Sequence, residues 1–103
     1  MGKILKETPP MFKVLEEKDP EFFKHFMKTL DMALEPGALD TKTKALIALA
    51  VDAFRGQSGG VSILTRIARK KGVTVKEIAE AVRVAFLVGG VAGMATSLYA
   101  FAG

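Results

Sequence analysis

Apolar residues recur along this chain at the spacing of helices, and no stretch alternates long enough to make a strand. Met11, Val14 and Leu15 predict a short first helix over Pro10–Lys18. Asp19 then predicts an N-cap, with Pro20 in the first turn, where its missing N–H costs nothing. Phe22, Phe23, Phe26, Met27 and Leu30 form the apolar face of that second helix, which ends before Pro36-Gly37. Asp40 predicts the cap of a third helix, Thr41–Arg55, whose Leu46, Ile47, Leu49, Ala50, Ala53 and Phe54 leave little polar surface and mark it as central. Gly56 stops it. A fourth helix, Ser58–Lys71, turns Val61, Leu64, Ile67 and Ala68 inward and Arg66, Arg69 and Lys70 outward, and Gly72 suits the residue just beyond its end. Thr74-Val75-Lys76-Glu77 is a capping box. It opens a fifth helix with Ile78, Ala81, Val82, Ala85 and Phe86 inward, and Lys76 and Glu80 are spaced to pair. A break at Gly89-Gly90 or Gly93 precedes a last helix ending near Phe101.

The expectation is therefore an all-α single domain over residues 1–103, of five to six helices. Half of the residues are hydrophobic and seven are phenylalanine, a surplus for a small monomer. The uncharged run Val84–Gly103 is 20 residues long, and Gly89 and Gly93 make a G-x-x-x-G spacing within it. Its alanine and glycine content, the Gly89-Gly90 break and the lack of a following charge favour a buried helix or a subunit contact over a membrane span. MGKILKETPP is too polar for a secretory apolar core, so the cytoplasm is the expected location.

Charge and chemistry narrow the function. With no cysteine and one histidine, the chain excludes disulfides, thiol redox chemistry and a structural zinc site. No metal and no cofactor are expected; Gly59-Gly60 matches neither nucleotide-loop spacing. The net charge of +4 is uneven: residues 1–52 carry eight Lys against nine acids, and residues 53–103 seven Lys and Arg against two. Arg66, Arg69, Lys70, Lys71 and Lys76 hold the excess. No aromatic interleaving accompanies them, so nucleic acid is the least favoured partner and a solvated helix end the simplest reading. His25, without partners nearby in sequence, reads as a surface residue; Tyr99 reads as a core or interface residue.

Leu39–Ala53 (LDTKTKALIALAVDA) and Ala68–Gly90 (ARKKGVTVKEIAEAVRVAFLVGG) give the chain a further meaning. With the entry helix DPEFFKHFMKTL, this pattern resembles the carboxymuconolactone decarboxylase superfamily, which includes the AhpD-like alkylhydroperoxidases. The resemblance covers Pro20–Phe101 and implies an AhpD-like helical fold that assembles as a homotrimer or homohexamer. In the redox branch it implies a C-x-x-C pair, a histidine four residues later and an acid about twelve residues before the first cysteine. Counted back from Ala68, these positions hold Gln57, Gly60, Leu64 and Ala45, none of which can do the family's chemistry. The lactone decarboxylase branch shares the histidine, so Leu64 puts that reaction in doubt as well.

What remains near the inferred pocket is Asp52, Arg55, Gln57, Ser58, Thr65 and Arg66. Asp52 interrupts the apolar run IALAVDAF and is the best acid–base candidate, with Ser58 and Arg66 as weaker ones. The alternative for Asp52 is an ion pair with Arg55 or Arg66. The expected function is that of a divergent family member binding a small anionic or quinone-like compound between helices, without thiol peroxidase activity. A non-catalytic oligomeric scaffold is the alternative.

Overall fold

The computed structural model describes residues 4, 5 and 8–102, the side chains of 91–95, 97 and 102 excepted. Those residues form six helices and no strand: α1 Pro10–Lys18, α2 Pro20–Leu34, α3 Thr41–Phe54, α4 Ser58–Lys70, α5 Val75–Ser97 and α6 Tyr99–Ala102. The third and fourth helices each end one residue earlier than their composition predicts, a difference within ordinary fraying. The chain divides into two compact units, Met1–Asp40 and Thr41–Gly103.

In the first unit, α1 packs on α2. Phe12 and Phe26 meet edge to face, with centroids 5.0 Å apart, an arrangement that sets the positive ring edge against the negative face. Asp19 Oδ1 accepts from the Phe22 N–H at 3.2 Å and caps α2, as its sequence predicts. Asp31 Oδ1 accepts from the Ile4 N–H at 3.0 Å. The apolar face of α2 is narrower than expected: Phe23 and Met27 are buried, whereas Phe22 is exposed.

In the second unit, α3 packs against both α4 and α5. Its contact row is Ala45, Leu49 and Ala53, fully buried at four-residue spacing. Two alanines in that row let the neighbouring helices come close, and Leu49 fills the space between them. Val61, Ile67 and Ala68 of α4 and Ile78 and Ala85 of α5 complete this core. The third helix is central, as expected, yet its far side is open, with Ile47, Val51 and Phe54 exposed. Phe86 is exposed as well, not inward. It lies eight residues from Ile78, about 80° round the helix from it at 100° per residue, and so falls at the edge of the buried face.

Three turns fix these helices. After α3, the Gly56 N–H donates to the Ala53 carbonyl and the Gln57 N–H to the Asp52 carbonyl, at 3.2 and 2.9 Å. This is the paired bonding of a Schellman end, and it requires the left-handed backbone that Gly56 adopts at φ 75°. The same pairing closes α4, from Gly72 to Arg69 and from Val73 to Ala68. Thr74 and Glu77 then form the reciprocal box: the Thr74 N–H donates to Glu77 Oε1 at 2.8 Å and the Glu77 N–H to Thr74 Oγ1 at 3.1 Å.

The break in α5 falls at Gly90, whose φ of 70° and ψ of −158° only glycine adopts without strain. The apolar run after Val84 is thereby split into two short helical pieces. No helix among the described residues is long and apolar enough to cross a membrane. The packing of Gly93, the other end of the G-x-x-x-G spacing, lies outside the described residues. Tyr99 is exposed rather than buried.

Candidate functional site

The junction between α3 and α4 carries most of the candidate residues. Asp52 sits in the last turn of α3, and its Oδ1 pairs with Arg55 Nη1 at 3.3 Å, three residues on and just past the end of that helix. Of the two arginines considered for that pairing, Arg55 is the one engaged. The Asp52 side chain is mostly covered, at 21% exposure, while that of Arg55 is largely in solvent.

The other face of the carboxylate meets Gly60, in the first turn of α4. A Cβ built on Gly60 would clash with Asp52 Oδ2 and lie 2.9 Å from its Cγ. Asp52 would therefore have to shift for residue 60 to carry a side chain. The electrostatics suit it. The first turn of a helix leaves backbone N–H groups without intrahelical partners and carries the positive end of the helix dipole. Gln57, the N-cap of α4, makes no side-chain capping bond. A carboxylate reaching over from α3 puts a negative charge at that end.

The other candidates are placed as follows. Gln57 is exposed and Ser58, the first residue of α4, is half-buried. Arg66 is exposed, as are Arg69, Lys70, Lys71 and Lys76, and none of the described ion pairs engages these five cations. Arg69 and Lys70 lie in the last turn of α4, where cations favour the negative end of the dipole. Thr65 is buried at 2% exposure, and its Oγ1 has no hydrogen-bond partner among the described residues. His25 is exposed. No group of three or more metal-binding side chains occurs among the described residues.

The positions singled out by resemblance fall on these same helices. Ala45 is fully buried in the row of α3 that faces its neighbours, Gly60 lies under the Asp52 carboxylate, and Leu64 is half-buried one turn further along α4.

A second feature lies on the opposite side of α3. Ala50, Val51 and Phe54 of α3 and Val84, Ala85 and Val88 of α5 line a groove of about 250 Å³. Its wall depends on another glycine. A Cβ on Gly89 would fall 2.7 Å from Phe54 Cδ2, so the ring lies directly on the α5 backbone. Sequence patterning marks Ala50, Phe54 and Ala85 of this set as core; what it misses is that they help line an open apolar trough. Neither this groove nor the more open one beside Leu46, Glu77 and Ala81 is lined by Asp52, Arg55, Gln57, Ser58, Thr65 or Arg66.

Glu77 ties the ends of the unit together. Its Oε2 pairs with Lys42 Nζ at 2.9 Å, joining the start of α5 to that of α3. The hydrogen bond from the Thr74 backbone, then that from Lys42, hold its carboxyl below the ordinary value of 4.5. Only the capping half of this arrangement is visible in the sequence.

Comparison with known proteins agrees with this architecture. An archaeal protein of Methanocaldococcus jannaschii, the uncharacterized protein MJ0742, is 34% identical over 79 residues, 76% of each chain. Apo-lpg0406, a carboxymuconolactone decarboxylase family protein from Legionella pneumophila, superposes with a TM-score of 0.83 at 26% identity, over 89% of this chain and 82% of that one. A putative carboxymuconolactone decarboxylase from Burkholderia xenovorans LB400 superposes with a TM-score of 0.80 at 26% identity, over 96% and 81%. The model of the carboxymuconolactone decarboxylase family matches residues 20–102. With that match over most of its length, an all-α AhpD-like fold and no cysteine to form a C-x-x-C pair, this chain belongs to the carboxymuconolactone decarboxylase family as a divergent member.

Proposed function

We propose that this protein binds a small molecule in the inter-helix groove between α3 and α5 and has no thiol peroxidase activity. The observation that carries the reading is the groove itself: six apolar side chains around about 250 Å³, with one aromatic ring in the wall. Such a surface selects by shape and dispersion, since it offers no side-chain hydrogen bond. A flat, weakly polar, quinone-like ring compound suits it. A small anionic compound would instead need the arginines near the α3–α4 junction, Arg55 and Arg66, with Gln57, Ser58 and Thr65 as polar neighbours.

A melting-shift screen separates these two ligand classes. Quinone-like rings are expected to raise Tm, and Val88→Asp, which sets a charge in the groove, to abolish the rise. Small carboxylates that act through Arg66 would lose their effect in Arg66→Ala instead. Hydroperoxide consumption with a dithiol reductant is expected to stay at the no-protein background. Thiol-dependent turnover, or no shift with either class, overturns the reading.

One observation favours a second reading, a homo-oligomeric scaffold. Leu87 and Val88 are 81% and 69% exposed, with Ile47, Val51 and Val84 also exposed. Residues of this kind on a small protein mark a contact surface. A homotrimer or homohexamer would cover them. Light scattering of the protein and of Leu87→Lys checks this: an oligomer that Leu87→Lys dissociates supports it, and a monomer in both cases removes it.

A further inference from the structure

We propose that Asp52 disfavours a reactive thiolate at position 60, so that this member of the family holds a carboxylate beside the place where its resemblance sets a reactive sulfur. The inference does not depend on what the α3–α5 groove binds.

The first argument is one of space. Even a methyl group on residue 60 would meet Asp52 Oδ2 and Cγ, so a cysteine there forces the carboxylate to turn away. Turning breaks its 3.3 Å pairing with Arg55. The second is one of charge. A thiol is reactive as its thiolate, and a neighbouring carboxylate disfavours that form. The third is one of competition. The start of α4 has no cap from Gln57 and favours an anion; Asp52 already supplies one, so a second negative group gains less there. A carboxylate that stays beside residue 60 exerts the second and third effects, and one that turns away does so at the cost named first, so either response disfavours a thiolate there. They predict that restoring the sulfurs through Gln57→Cys and Gly60→Cys is insufficient to restore thiolate chemistry while Asp52 remains.

The chain is its own test system, because it contains no cysteine and any introduced thiol is the sole one. Gly60→Cys is compared with Asp52→Asn/Gly60→Cys and Asp52→Ala/Gly60→Cys, following iodoacetamide alkylation against pH. Asparagine keeps the shape of Asp52 and removes its charge; alanine removes both. Beside Asp52 the introduced thiol is expected to react about tenfold more slowly at neutral pH than beside asparagine, as its pKa rises by about one unit. The alanine background is expected to be at least as reactive as the asparagine one and to recover thermal stability that Gly60→Cys alone loses. Equal alkylation profiles in all three proteins overturn the proposal. If Gly60→Cys folds only when Asp52 is replaced, the exclusion is steric and the proposal stands. Should no cysteine variant fold, Gly60→Ala is measured with and without Asp52→Ala. A less favourable change in Tm when Asp52 is present supports the proposal, and an identical change in both backgrounds overturns it.

Discussion

Two glycines of the second unit do the same geometric job in opposite chemical settings. Gly60 of α4 accommodates the carboxylate of Asp52, and Gly89 of α5 accommodates the ring of Phe54. Both intruding side chains come from the last turn of α3, so a single stretch of that helix presses one residue into each neighbour. At Gly60 the intruder is the end of a short side chain, which rotates away at the loss of one partly exposed ion pair. At Gly89 it is an aromatic ring lying against backbone, a bulkier group that has to move as a whole. Absent methyl groups thus serve an adjustable polar contact on one side of α3 and a fixed apolar wall on the other.

The comparison breaks most visibly at the aromatic side. Gly89→Ala sets a methyl 2.7 Å from Phe54 Cδ2, and such overpacking is expected to cost about 2 kcal/mol, or about 10 °C in Tm. In a Phe54→Ala background most of that penalty should vanish; an undiminished penalty would show that the ring is not its cause. Gly60→Ala is the polar counterpart. Its net effect is expected to stay below about 1 kcal/mol, because surface ion pairs contribute little and alanine favours helix over glycine. A loss at Gly60 equal to that at Gly89 would remove the distinction between the two contacts.

The smallest effect lies at the far end of α3, in the Lys42–Glu77 pair. The Glu77 carboxyl is held below 4.5 in the folded chain, so its stabilising contribution is present above that value and fades as pH falls through the lower folded one. Melting curves from about pH 6 down to about pH 3 should therefore converge for the native chain and Glu77→Gln. A gap that is constant with pH would assign the difference to the capping bonds alone, which glutamine partly keeps.

How much of this the sequence discloses depends on the range of the interaction. Asp19, Gly56, Gly72, the Thr74–Glu77 box and the Gly90 break are legible because each is a bond or backbone angle set within a few residues. The direction of Phe22, Phe54 and Phe86 is not. A helix with apolar residues on most sides, such as α3, has no periodic signal to say which side faces solvent. Lys42–Glu77 is illegible for a related reason: it joins helix starts that only the fold brings together. The candidate site divides the same way. Asp52 is conspicuous as a charge in an apolar run, and its Arg55 partner lies one turn away, but its contact with Gly60 depends on how the chain reverses after Gly56. Thr65 is a polar letter that gives no hint of its burial in α4.

That reversal limits what insertions the chain can accept. Asp52 contributes its carbonyl to the bond that ends α3 and its carboxylate to the start of α4. One residue added between Gly56 and Ser58 would turn α4 by about 100°, moving Gly60 out from under the carboxylate and rotating Val61 and Ala68 out of the core. Side chains in this segment can vary where they are exposed, as at Gln57. Its length cannot, and a variant library built here should therefore hold the residue count constant.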